Sequence, residues 1–256
     1  MTGVVIGFLL SIWIHRIEVN HDLRKEKQKE KGKKVATIKH IMLSCASNVE
    51  TLINYKRQIV LPLIGEIEII KPLVIGGDFP AAAKSLEKML SMFHAVPTVS
   101  RVALPSQDDF LLIADDIPMI IAYYSRFQEA MENVNAMATE RNKYIEQFSA
   151  KNVEGMNERA LSYYLMMLIS TGENLKTLVD DALFFGVLLS DQIANYSENK
   201  FKDVKTIKFT IDNQHAVHLP PKDYVKGFRE QFHDFSKDPV ERSIFTLADS
   251  YSTRSI

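Results

Sequence analysis

The sequence predicts a mainly α-helical protein. An N-terminal single-pass membrane helix is expected to continue into a cytosolic bundle of long antiparallel helices, with a small β-hairpin near the C-terminus. Three observations predict this. Apolar residues recur at alternating spacings of three and four through Phe110–Phe148 and again through Leu161–Tyr196, the repeat of a helix with one buried face. Ten glycines and nine prolines are few for 256 residues, while Leu, Ile, Met, Ala, Glu and Lys are abundant. Thr2–Ile14 reads TGVVIGFLLSIWI without a charged side chain, and eight basic and four acidic residues follow between Arg16 and Lys34.

That apolar segment sets the expected organisation. Residues 1–19 form a transmembrane anchor, 20–34 a charged helical stalk and 35–200 the long-helix bundle; 201–235 hold a β-hairpin plus a short helix, and 236–256 a loosely ordered tail. A helix needs about 20 residues to cross about 30 Å of hydrocarbon. The uncharged run ends before His15, so the span has to reach Val19, with His15 and Arg16 snorkelling and Trp13 at the headgroups. A secretory signal would carry its basic residues before the apolar run and a small-residue cleavage site after it. Here the charges follow. A buried globular helix is the second rival, and the adjoining charged stretch, unfit for a core, argues against it. The positive-inside rule then places the N-terminus outside and the body in the cytosol, which in a bacterium would mean the inner membrane.

Along the stalk, Glu18, Asp22, Glu26 and Glu30 recur every four residues, and Lys25, Lys29 and Lys33 follow three of them at i+3. Such pairs support a solvated helix by about 0.2–0.5 kcal/mol each. Gly32 is its weak point. The stalk reads as a spacer rather than a polybasic lipid-binding patch, because the four acids dilute the cations.

From Val35 the apolar spacing is heptad-like: Val35, Ile38, Met42, Cys45, Val49, Leu52 and Ile59, with Lys56 out of place and Pro62 expected to end the helix. Leu63–Gly77 fits a short strand or a short helix, broken off by Pro72 and Gly76-Gly77. Asp78 caps an expected helix to about Val96, with Leu86, Met89, Leu90 and Phe93 inward. Ser106 and Asp109 form a capping-box-like start for a helix of about 40 residues that Pro118 should kink. Arg141 is the charge in its apolar register and calls for an acid on a partner helix or an open end. After the polar turn Ser149–Gly155 comes a third long helix, antiparallel to the second. Beyond Lys205 the period becomes two, with Ile207, Phe209 and Ile211, Asp212-Asn213 as the turn, and Gln214–Leu219 returning. Val225, Phe228, Phe232 and Phe235 mark a short amphipathic helix.

The sequence offers little chemistry. A net charge of −1 gives no overall pull towards nucleic acid, and one cysteine allows neither an intrachain disulfide nor a thiolate metal cluster, as suits a reducing cytosol. Cys45 reads as a small core hydrophobe. Glu66 and Glu68 read as solvated carboxylates, and Asp115-Asp116 as surface acids. His215 and His218 are three apart, so on a strand they face opposite sides and cannot share an ion, and His233 has no evident reason to join them. Gly172, Ala182 and Gly186 leave room either for a closely packed helix or for a ligand. There is no HExxH, phosphate-binding glycine loop, G-x-S-x-G or Cys-x-x-Cys. No catalytic, cofactor-binding or metal residue is singled out, and no cofactor is expected.

The favoured expectation is a membrane-anchored, non-enzymatic interaction, scaffold or sensor module. It would bind the bilayer through residues 1–19, bind itself or another protein through the bundle, and bind no nucleic acid. The runner-up is a membrane-perturbing effector of the toxin or defence type, whose short anchor, with Gly7 inside it, is clustered by assembly. A helical hydrolase or ligand pocket near Gly172–Gly186 comes third.

Overall fold

A computed structural model describes residues 2–86, 88, 90–100, 106–114, 116–117, 119–150, 157–201 and 217–220. Among these the chain is mainly α, without a strand. The helices are α1 (Thr2–Tyr55), α2 (Leu61–Gly76), α3 (Phe79–Leu86), α4 (Leu90–Phe93), α5 (Gln107–Ala114), α6 (Ile120–Ala150) and α7 (Glu158–Lys200); a π-helical turn, Lys56–Val60, joins α1 to α2.

α7 is the axis of the bundle. Its expected stripe is buried from Leu165 to Ile193, and Asn157 caps it, its side-chain oxygen accepting from the Ala160 N–H at 2.9 Å. α6 lies antiparallel on one side. Its stripe of Ile120, Tyr124, Phe127, Met131, Val134 and Ala138 is buried against α7, with Arg141 opposite Leu168 and Phe127 opposite Gly186. On another side the rod made by inner α1, the π turn and α2 runs antiparallel to nearly the whole of α7. Val49 meets Gly186, Lys56 meets Asp180, and Ile67 meets Gly172. The heptad stripe Ile38–Leu52 is buried by this packing, so it is satisfied within one chain rather than presented to a second.

Several expectations need correcting. Pro62 does not end a helix. The Leu61 N–H donates to the Lys56 carbonyl, five residues back, and this wide turn lets Pro62 enter at the start of α2, where its missing N–H costs little. Leu63–Gly77 is helix, and it passes through Pro72. Pro72 is exposed on α2, and Leu63, Ile67, Ile70 and Val74 are buried, which offsets the lost hydrogen bond. α2 stops at Gly77, whose φ of 72° favours glycine; Gly77 N–H bonds to Val74 O at 3.3 Å and Asp78 N–H to Leu73 O at 3.0 Å.

Asp78 caps α3 through the Ala81 N–H at 3.1 Å, but the helix expected to about Val96 is split into α3 and α4 and then becomes irregular. Among the described residues of this stretch Ala82, Met92, Val96 and Val99 are buried and Phe93 packs half-buried against the core, while the side chains of Leu86, Met89 and Leu90 lie outside the described ones. Ser106 and Asp109 do form the reciprocal box, with Ser106 N–H on Asp109 Oδ2 at 3.0 Å and Asp109 N–H on Ser106 Oγ at 3.4 Å. Before Pro118 the chain leaves the helix after Ala114, a break rather than a kink. The residue preceding a proline disfavours the helical region, and the first turn of α6 is rebuilt beyond it.

The expected β-hairpin, Ile207–Leu219, lies mostly outside the described residues, and its described piece, Val217–Leu219, is a turn rather than strand. The helix at Val225–Phe235, the tail 236–256 and most of the Ser149–Gly155 turn also lie outside them. The N-terminal segment is helical as expected, but among the described residues no helix is long and apolar enough to cross a membrane. With His15, Arg16 and Glu18 inside it, the 1–19 segment carries too short an uncharged run for a span drawn from length alone.

Candidate functional site

Among the described residues, the buried charged groups of the bundle are held by partners distant in sequence, whereas Asn48, Thr171 and Ser190 bond to carbonyls one turn back. Lys56, the misfit of the α1 stripe, is 4% exposed and forms an ion pair with Asp180, itself 2% exposed on α7; Lys176 reaches the second Asp180 oxygen at 3.2 Å. Asp181, next along α7, is half-buried, and burial with the Asp180 charge beside it pushes its carboxyl up to about 6.

Arg141 corrects a further expectation. It is fully buried, and it donates not to an acid but to neutral oxygens: Leu168 O at 2.5 Å, Met92 O at 2.7 Å and Thr171 Oγ1 at 3.3 Å. Burial lowers its pKa to about 10, against the opposing pull of Tyr55 and Glu66. The Tyr55 hydroxyl, also buried, is pushed up to about 12. Arg141 thereby pins Met92 to α6. Asn142 pairs with both backbone groups of Val96, at 2.8 and 2.9 Å, and Asn135 with both of Val99, at 2.7 and 3.3 Å. These side-chain amides supply the partners that an irregular backbone lacks.

Of the singled-out carboxylates, Glu66 and Asp116 hold structural partners. Glu66 is not a solvated member of a pair: its two oxygens accept from Ser91 N–H at 3.0 Å and Met92 N–H at 2.6 Å, at the start of α4. Glu68 is exposed. Asp116 accepts from Lys200 Nζ at 2.6 Å and Tyr196 Oη at 2.7 Å, with Lys34 Nζ at 3.7 Å. The Lys200 and Tyr196 hydrogen bonds hold its carboxyl below the usual range. Asp115, His215 and His233 lie outside the described residues. Cys45 is fully buried, and burial drives its thiol up to about 12, so it acts as a core side chain.

Gly172 and Gly186 are contact points, not a pocket. A Cβ on Gly172 would sit 2.4 Å from Ile67 Cδ1, and one on Gly186 2.7 Å from Val49 Cγ2 and 2.8 Å from Phe127 Cε2. Ala182 is equally buried. The cavity of note lies nearby but outside, an open groove of about 580 Å³ between α2 and α7. Its apolar floor includes Ile64, Ile67 and Ile75, and Lys71 bonds Glu173 across it at 2.5 Å. Among the described residues no group of three or more His, Cys, Asp or Glu side chains is placed to hold a metal ion.

The other distinctive region is the outer half of α1. Residues 13–33 are all exposed, with Trp13 at 63% and Ile14, Ile17, Val19 and Leu23 between 42 and 49%, and burial begins at Lys34 and Val35. A helix that starts in an apolar run thus crosses about 30 Å at 1.5 Å per residue before it enters the core. No family model, no curated protein and no solved structure matches the chain.

Proposed function

We propose that the chain is a membrane-anchored helical bundle that serves as a non-enzymatic interaction, scaffold or sensor module, tethered through residues 2–14. The observation that carries this reading is the continuity of α1. One helix joins an apolar tip, a charged exposed segment and the core stripe of the bundle. A solitary exposed helix of this kind gains nothing from displaying Trp13, Ile14 and Ile17 to water. Val4–Ile14 is apolar all round at about 100° per residue, with Gly7 and Ser11 the small exceptions, whereas a coiled-coil seam would be a stripe. A helix apolar on every side suits a bilayer or a protein core, and the bare, charged segment that follows it favours the bilayer. The cations that follow favour the cytosolic face for the bundle. The polar groups support a binding role over catalysis, because Lys56, Arg141 and Glu66, and Asp116 at the surface, are each committed to structural partners.

Leu9→Lys with Leu10→Lys tests the tether. Each lysine costs about 2.5–3.5 kcal/mol near the centre of an inserted helix. The double variant should move to the soluble fraction with its bundle intact by circular dichroism. Retention in the membrane pellet after a carbonate wash sinks the reading.

A further inference from the structure

We infer that the outer half of α1 carries a binding face for anionic lipid headgroups, which slants the stalk against the bilayer instead of holding it clear in water. The inference rests on the membrane tether proposed above. Residues 13–33 form one uninterrupted exposed helix, so side-chain directions follow from about 100° per residue. Arg16, Arg24, Lys27 and Lys31 then fall within a sector of about 80° that holds no acid. Glu18, Asp22, Glu26 and Glu30 lie outside it, in the same arc as Lys25, Lys29 and Lys33. The acids that dilute the stalk in sequence do not dilute this face.

Two further features point to lipid rather than to an acidic protein. Trp13, exposed, lies in the cationic sector, so the apolar tip and the basic face meet on one side of the helix, as an interfacial contact requires. The tip, Thr2–Ile14, is about 20 Å long at 1.5 Å per residue, short of the about 30 Å of hydrocarbon, which suits oblique insertion. On an upright helix Lys27 and Lys31 would stand about 20 and about 26 Å from Ile14, beyond the Debye length of about 8–10 Å. Leaning towards the basic face brings them within it. Ile38, Met42, Cys45 and Val49, which face the core, occupy the same sector, so the bundle hangs on that side and limits the lean to a slant.

The test is flotation of the full chain on phosphatidylcholine vesicles with and without phosphatidylserine, at low ionic strength. Two charge-matched variants are compared: Arg24→Glu/Lys27→Glu on the basic face and Lys29→Glu/Lys33→Glu on the other. At about fivefold per surface-held cation, the first should lose about 25-fold or more of the serine-dependent gain, and the second should keep it within about twofold. Equal losses would mean a net-charge effect without a face, and overturn the inference. A parent that binds phosphatidylcholine without any serine-dependent gain overturns it too, while leaving the tether intact. A parent that floats on neither vesicle removes the tether and this inference together.

Discussion

Two ion pairs fasten the rod of α1 and α2 to α7, and depth is what separates them. Lys56 and Asp180 meet inside the bundle, each about 95% buried or more; Lys71 and Glu173 meet at 2.5 Å across an open groove, with side chains 39% and 43% exposed. The contact geometry is comparable, and the energetics are not. A buried charge that loses its partner is stranded where water cannot reach it, whereas an exposed one is rehydrated at once. The same chemistry is obligatory at the middle of the rod and optional towards its far end.

Removing the inner acid is the harshest way to sharpen the contrast. Asp180→Ala should cost about 3–5 kcal/mol in chemical denaturation, because Lys56 is left charged and unpaired. Lys56→Met combined with Asp180→Leu should recover most of that loss. If the single variant is as stable as the parent, depth is not what divides the two pairs. Beside the outer pair lies the close contact at Gly172, where Gly172→Leu should cost about 1–3 kcal/mol through overpacking against Ile67 and Leu63. A gain of room there, read as an unchanged melting temperature, would reopen a ligand pocket.

Asp181 supplies a titration beside the inner pair. Its folded pKa, about 6, lies above the ordinary 3.8, so the stability it lends is fully present below about 3.8 and is lost as pH rises through about 6. Asp181→Asn should therefore stabilise at pH 7–8 by about 1 kcal/mol after allowance for solvent screening, and by nothing near pH 3. Melting curves across that range decide it; a benefit independent of pH would rule out the carboxylate as its source. The smallest effect belongs to the outer pair. Glu173→Ala should cost less than about 1 kcal/mol, and added salt should erase the difference from the parent.

Periodicity made the long helices legible, and it failed where the answer lay across the bundle. The stripes of α6 and α7 were read correctly because burial on one face imposes a repeat that any window of the chain displays. Lys56 showed in sequence as one flaw in a stripe; its acid stands 124 residues later, a distance that spacing does not encode. Arg141 and Glu66 are illegible for a related reason, since their partners are backbone groups, which every residue has and no residue advertises. Prolines misled in both directions. Pro72 breaks nothing, for α2 continues through it on an exposed face, whereas the chain leaves the helix altogether ahead of Pro118. A wide turn such as Lys56–Val60, which allows Pro62 in, leaves no mark on the pattern at all.

The continuity of α1 also makes it a lever. Its inner arm is gripped from Ile38 onward, its outer arm is bare, and the Lys34 contact with Asp116 sits where the two meet. A sideways load at the tip, about 30 Å out at 1.5 Å per residue, becomes a bending moment concentrated at that fulcrum. Gly32 lies just outside it, with no neighbouring atom within 4 Å of where a Cβ would be, and glycine is the least stiff residue a helix can place there. The rod is built to yield at one point and to deliver the rest of the strain into the bundle.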